Sequence, residues 1–377
     1  MKKSSEADRQ EESSSCRFLQ SGGRTVQEIT KQFDTKGTVI RCVPFGSGHI
    51  NGTWLVVTNR PHLYILQSVN TEIFRDPAGL MNNILLVTEH LRGKDPDPRH
   101  VLRLVKLRDG RDYLLTEHRA LWRMYEFVTG GICLDRAECA LDFRNSGKAF
   151  GDFQRKLADF PANTLSETIP GFHDTPARFA ALRKALREDR AGRAGRVRWE
   201  TDFLLEREEK AGMLQAMLKA GDLPLRVTHN DTKLNNVMLD EKTREPLCIL
   251  DLDTVMPGLA GIDFGDAIRY GASTADEDEP DPEKVHLDLE LYKAYAEGFL
   301  EACGDSLTGM ERETLPDCAR IITLETATRF LTDYLNGDTY FHIDRPDHNL
   351  DRTRTQIAMV RDMEKHESEI RSMMREF

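Results

Sequence analysis

The chain has 377 residues, with 52 Lys and Arg against 63 Asp and Glu and a formal charge of −11; the length suits about two lobes with cores of their own, and the charge would repel nucleic-acid phosphate. No uninterrupted apolar run approaches the ~18–20 residues that cross a bilayer, and the N-terminus lacks the apolar core of a secretory signal. Seven cysteines, an odd number without a C-x-x-C pair, speak against zinc and a disulfide framework, so a reducing cytoplasm is the expected compartment.

Residues 1–24 are rich in Ser, Glu and Gln and have little to bury, which predicts a flexible tail. From Val39 the texture becomes short β-prone runs separated by Gly, Pro and Asn: VIRCVPF, TWLVVT, LYILQSV, VLRLVKL, DYLLT and LWRMYEFV. One helix interrupts them, with Asp76 as N-cap, Pro77 opening the first turn, and Leu80, Ile84, Val87 and Leu91 on one face. Residues 25–128 therefore read as a small antiparallel β lobe. After Gly130 and Gly131 the period turns helical, with Phe150, Phe153, Leu157 and Phe160 sharing a face and Pro176 opening a further helix. Residues 129–377 read as a larger, mainly α lobe, which makes the chain an α+β protein with a cleft between two lobes. The basic stretch 183–198 reads as a solvated helix end, and the acidic stretch 276–283 as a surface loop.

Within the larger lobe lies one β-type island, where LRV, NVML and LCILDL flank two polar loops. Asp231 opens one loop in His229-Asn230-Asp231-Thr232-Lys233-Leu234-Asn235-Asn236, and Asn236 closes it just before a strand. Asp251 follows at the end of the apolar run 247–250. Phosphoryl transfer asks for a carboxylate that orients a hydroxyl, oxygen ligands for magnesium, and a clamp on the phosphates. Asp231 fits the base, while Asn236 and Asp251 fit a magnesium site, since that ion takes one or two carboxylates plus phosphate and water oxygens. Each has a plainer reading, Asp231 as a turn cap, Asn236 in a left-handed loop position, and His229 as a satisfied core histidine. Their order between strands favours the catalytic reading of the set.

The string H-x-D-x-x-x-x-N followed by ILDLDTV resembles the aminoglycoside phosphotransferase and choline kinase superfamily, whose fold is protein-kinase-like. VTHNDTKLNNVMLD, DLDTVMPGLAGIDFGDAIR, YILQSVNTEIFRDPAGLMNNILLVTEHL and RFLTDYLNGDTYFHID are more similar to one branch, the N-acetylhexosamine 1-kinases, over about residues 44–366. The resemblance implies a protein-kinase-like two-lobe fold and a sugar 1-kinase using ATP and Mg2+. It implies Asp231 as base and Asn236 and Asp251 as metal ligands. Asp263 and Asp266 then support the metal loop, or cap the helix that starts there.

Phe45-Gly46-Ser47-Gly48-His49-Ile50-Asn51-Gly52 is a glycine hairpin tip of the kind that lets backbone N–H groups approach phosphate, so Gly46, Ser47 and Gly48 are expected nucleotide contacts. At the next strand, where kinases place a phosphate-binding Lys, stands Gln67. An amide supplies no charge, so another cation such as Arg75, or magnesium, must neutralise that site. The run 121–128 reads as an edge strand leading to a hinge, with backbone near Glu126 and Val128 meeting adenine.

Arg329 and Asp333 are spaced i, i+4, which by itself reads as a surface ion pair. The resemblance instead assigns Arg329 and Tyr340 to the sugar, and His49, in the GHIN stretch of the hairpin, is expected to face it as well. Kinases of choline, homoserine or methylthioribose are the nearest alternative. A catalytically silent nucleotide binder and a protein-interaction module built on the helix 350–377 are more distant ones. Nucleic acid and membrane are not expected partners.

Overall fold

The computed structural model describes residues 25–46, 51–117 and 120–377. The expected flexible tail, and Ser47, Gly48 and His49 of the glycine hairpin, lie outside the described residues. The chain divides into two compact units that meet in sequence at Thr129 and Gly130.

The first unit opens with a short helix α1 (Val26–Thr30), closed at its start by a Thr25–Glu28 capping box. Strands β1 (Val39–Pro44), β2 (Gly52–Thr58) and β3 (Leu63–Val69) follow, then helix α2 (Pro77–Lys94), β4 (Leu114–Leu115) and β5 (Leu121–Glu126). The strands form an antiparallel sheet in the order β1-β2-β3-β5-β4. Alternation decides what each strand buries: Val56, Tyr64, Leu66, Trp122 and Met124 turn to one face, where they pack with Ile29, Phe33 and Leu107. Asp76 caps α2 as expected, its carboxylate accepting from Gly79 N at 3.0 Å, and Leu80, Ile84, Val87 and Leu91 are buried.

Two strand expectations are corrected here. VLRLVKL is no strand; it makes only isolated bridges, Leu104 to Tyr125 of β5 and Leu107 to Phe33 ahead of β1, and its apolar residues are buried in an irregular segment. The run 121–128 is no simple edge either, since β4 pairs with its first two residues and Leu104 bridges to Tyr125.

The second unit carries β6 (Gly131–Cys133), α3 (Ala140–Lys156), α4 (Thr175–Glu188), α5 (Arg198–Leu205), α6 (Glu208–Ala211) and α7 (Met213–Ala220). Strands β7 (Arg226–Thr228), β8 (Val237–Asp240), β9 (Pro246–Ile249) and β10 (Met256–Gly258) come next. They make two small antiparallel sheets, β6-β8-β9 and β10-β7. Helices α8 (Ala260–Gly271), α9 (Leu289–Cys303), α10 (Gly309–Asn336), α11 (His348–Lys365) and α12 (Glu367–Met374) complete it. The expected long terminal helix is thus two helices, broken at His366.

The main core gathers Phe143, Phe150, Phe264, Tyr295 and Phe299 from α3, α8 and α9. Helices α3 and α9 approach closely because glycines face the contact. A Cβ on Gly147 or Gly151 would collide with the backbone of Tyr295 or Phe299, and one on Gly298 with the backbone of Arg144. Gly298→Ala should therefore lower the unfolding free energy by about 1–3 kcal/mol, as overpacked cores do. It is read as a lower urea midpoint at unchanged slope.

Candidate active site

The loop between β7 and β8 is held by buried groups rather than by its own turns. Asp263, on the first turns of α8 and fully buried, accepts from the backbone N–H groups of His229 and Asn230, both at 2.8 Å. Gln154 of α3 donates to the same carboxylate at 2.9 Å and to the Val227 carbonyl at 3.0 Å. Asp266, one turn along α8, accepts from Thr232 N at 3.0 Å, and the Thr232 hydroxyl donates to the Asp263 carbonyl at 2.7 Å. Of the two readings open for these acids, support of the loop is the one observed; the N-cap of α8 is Leu259, which makes no side-chain cap bond.

His229 is itself buried. Its Nδ1 accepts from Asp231 N at 3.3 Å, so the ring proton sits on Nε2 and bonds the Leu250 carbonyl at 2.8 Å. His229 is thus the satisfied core histidine that ties the loop to the segment before Asp251. The left-handed position of the loop is Asn230, at φ 64°, and not Asn236. Left-handed backbone suits Asn because its short side chain bonds locally, here to the Thr228 carbonyl at 3.4 Å, while the same Nδ2 donates across to the Thr254 carbonyl at 2.8 Å.

On this frame two predicted residues meet, and a third follows in the neighbouring segment. Asn236 Nδ2 donates to the Asp231 carboxylate at 3.0 Å and to the Asp231 carbonyl at 2.9 Å. The Asn236 carbonyl accepts from Leu250 N at 2.8 Å, which brings the exposed Asp251 alongside. Asp251 lies two residues past the end of β9, in left-handed backbone at φ 54°. Lys233, a group that sequence reasoning missed, stands with Nζ 3.7 Å from Asp231 Oδ1. Its place two residues after Asp231 was the available signal.

The charges alternate outward from there. The Asp231 carboxylate holds the Lys233 ammonium above its usual range, against the opposing effect of burial. Burial would raise Asp266, but Arg269 and Lys233 outweigh it and hold the carboxyl below its usual range. Arg269 also pairs with Glu277 at 2.5 Å, so the acidic stretch is more than a solvated loop. Asp263 behaves differently: burial pushes it up to about 6, partly offset by the N–H groups of His229 and Asn230.

A second cluster surrounds Arg329, on α10. Its guanidinium lies 5.3 Å from the ring centroid of Phe172 and 5.5 Å from that of Phe341. His173 and Thr175 donate to the buried Glu325, one turn before Arg329, at 2.9 and 2.6 Å. Asp333 is buried and is not the partner in a surface ion pair. Its carboxylate accepts from the backbone N–H groups of Thr339, Tyr340 and Phe341 and from Asn349 Nδ2, all at 2.9–3.0 Å. Tyr340 therefore projects from a fixed loop, 65% exposed, its ring edge-on to Phe341. Phe172 and His173 had no signal in the sequence, since they come from an irregular segment without period, and Arg178, on the first turns of α4, reads there as an ordinary helix-surface charge.

Gly46, Gln67, Glu126 and Val128 belong to the first unit. Gly46 has φ 79°, open to glycine at no steric cost, and Glu126 pairs with Lys36 at 3.8 Å. Val128 is half-buried just beyond β5. Gln67 is bonded to Arg123, a residue hidden from sequence reading inside an apolar strand.

The description of the phosphotransferase enzyme family (APH) matches residues 41–298, more than half of the chain. The chain belongs to that family. Solved structures of similar fold surround this phosphotransferase. A microcompartment-associated aminopropanol kinase is 17% identical, with 91% of this chain and 97% of that one covered at a TM-score of 0.62. An aminoglycoside phosphotransferase from Alicyclobacillus acidocaldarius is 12% identical, with 95% and 98% covered at 0.63. A Plasmodium vivax ethanolamine kinase is 12% identical, with 87% and 85% covered at 0.55. The kinase-like fold expected from the sequence is thereby established. Among the described residues of the phosphotransferase, no helix is long and apolar enough to cross a membrane.

Asp263→Asn in the phosphotransferase turns an NH2 toward a backbone donor and should cost about 1–3 kcal/mol near neutral pH. A carboxyl raised to about 6 contributes its stability in full below its unfolded value and loses it as pH rises through 6. The advantage of wild type over Asp263→Asn in urea unfolding should therefore shrink between pH 4 and pH 7.

Proposed function

We propose that this phosphotransferase is a small-molecule kinase that moves the γ-phosphate of ATP, with Mg2+, onto the anomeric hydroxyl of an N-acetylhexosamine. The observation that carries the reading is the Asp231–Asn236 pair, a partly exposed carboxylate oriented by an amide on a loop that buried groups hold. Asp231 Oδ2 is engaged by Asn236, so Oδ1 is the atom that takes the proton of the acceptor hydroxyl. Lys233, close to the same oxygen, compensates charge on the phosphoryl group as it transfers.

Asn236 and Asp251 would hold magnesium. With Nδ2 committed to Asp231, the amide oxygen of Asn236 is its ligand atom, and Asp251 adds a carboxylate beside it. That donor set suits an ion completed by phosphate and water, and when bound the ion would neutralise phosphate oxygens. Among the described residues no three His, Cys, Asp or Glu side chains cluster to hold a metal by themselves. Gly46, Ser47 and Gly48, with Gln67, are assigned to the phosphates, and the backbone at Glu126 and Val128 to adenine.

Arg329 and Tyr340, with His49, are assigned to the sugar. Amino alcohols are the second reading, because aminopropanol and ethanolamine kinases share the fold. The cluster around Arg329 argues for the sugar. The aromatic rings that could cage a cationic amine already enclose a guanidinium, and Arg178 stands near enough that, after burial, Arg329 further depresses its proton affinity. A neutral, hydroxyl-rich acceptor fits such a site better than a cation.

A panel of free sugars and amino alcohols with ATP and Mg2+, followed by ADP release and with phosphate located by NMR, should give turnover on N-acetylhexosamines at C1. Turnover confined to amino alcohols would sink the sugar assignment. Asp231→Asn should keep the fold and nucleotide affinity while kcat falls by ~100-fold or more. Near-normal kcat in that variant would remove Asp231 as base. Arg329→Met should raise the sugar KM about tenfold, the loss of one charge-assisted hydrogen bond, with the ATP KM unchanged.

A further inference from the structure

We infer that Arg123 supplies the positive charge of the nucleotide-phosphate site, acting through the Gln67 amide where kinases carry a strand lysine. The inference rests on the nucleotide reading above and deepens it. The strand position at 67 holds an uncharged amide, and a polyphosphate there needs a cation. Arg75, one expected source, is exposed beside the cap of α2. Arg123 is the residue directly opposite Gln67 in the β3–β5 ladder.

The side chains meet as their register requires. Arg123 Nε and Nη2 both donate to Gln67 Oε1, at 3.0 and 2.8 Å. The amide is thereby oriented, with its oxygen toward the guanidinium and its NH2 toward β2. Nε2 donates to Thr53 Oγ1 at 3.4 Å, and Thr53 is the β2 residue opposite Gln67. Thr53 follows Gly52, at the return of the glycine hairpin. A single row, Thr53, Gln67 and Arg123, thus runs across three strands and ends next to Gly52, the first residue of β2.

Arg123 is 1% exposed, among the largest fully buried side chains in the protein. Removing a guanidinium from water is costly, and an apolar side chain would fill the space at no such penalty. What burial gives is reach, because the charge acts through a medium less polarisable than water. Two N–H donors on one carbonyl oxygen also draw electron density from the amide, which strengthens its NH2 as a donor. That NH2 has two hydrogens, and Thr53 takes one. The second is suited to a phosphate oxygen. Arg123 touches no ligand itself in this arrangement and is a positioning residue.

The test separates charge from scaffolding by comparing ligands with and without phosphate. Adenosine and ADP are titrated by calorimetry into wild type, Arg123→Met, Gln67→Leu and the double variant Gln67→Lys/Arg123→Met, each checked for folding by circular dichroism. Arg123→Met and Gln67→Leu should lose about tenfold or more in ADP affinity, the worth of a charge-assisted contact, and keep adenosine affinity. The double variant, which returns a cation to the strand, should recover ADP binding. If Arg123→Met fails to fold, Gln67→Leu, which leaves Arg123 in place, carries the same comparison. Equal loss of both ligands, or an unchanged ratio of ADP to adenosine affinity, would overturn the inference. Wild type that binds neither ligand would overturn the nucleotide reading, and the role of Arg123 with it.

Discussion

A single buried carboxylate organises the loop between β7 and β8. Asp263 sits on α8, yet spends its hydrogen-bonding capacity on the N–H groups of two consecutive loop residues and on Gln154 of α3. An ionisable group without water is expensive unless every lone pair is matched, so this one tolerates little movement of its donors. The position of Asp231, the next residue along, follows from that intolerance. The constraint extends to the helix layer, because α3 is set against α9 by glycine contacts and delivers Gln154 at a fixed height. Helix packing therefore sets where Asp231 stands.

The same device appears twice more. Asp266 captures Thr232 N while balanced by Arg269 and Lys233, and Asp333 captures three backbone donors of the loop after α10. In each case a helical acid reaches out to irregular backbone and replaces the partners that a regular element would provide. Loops that bear function are thereby made as definite as the helices beneath them, without becoming helices.

Much of this was legible in the sequence where the signal was local. Asp76 with Pro77 announced α2, β-prone runs between Gly, Pro and Asn announced β2 and β3, and Asp231 and Asn236, opening and closing one short loop, do meet. What stayed hidden depends on partners distant in the chain. VLRLVKL has the composition of a strand, but its neighbours offer it only isolated bridges. Asp333 at i+4 from Arg329 resembled an ion pair, because nothing in the spacing reveals that the following loop folds back onto the acid. Arg123 carries no signal within its apolar run, and its pairing with Gln67 appears only when β5 is set against β3 in register. Phe172 and Phe341 enclose Arg329 from opposite directions in sequence, which no periodicity encodes.

The bend that carries Tyr340 is fastened through main-chain donors, while the ring stands mostly in solvent and meets Phe341 edge-on. Side-chain identity at that position is consequently uncoupled from the shape of its surroundings. The residue there can change, by natural variation or in a focused library, over a backbone that keeps its course whichever side chain it bears.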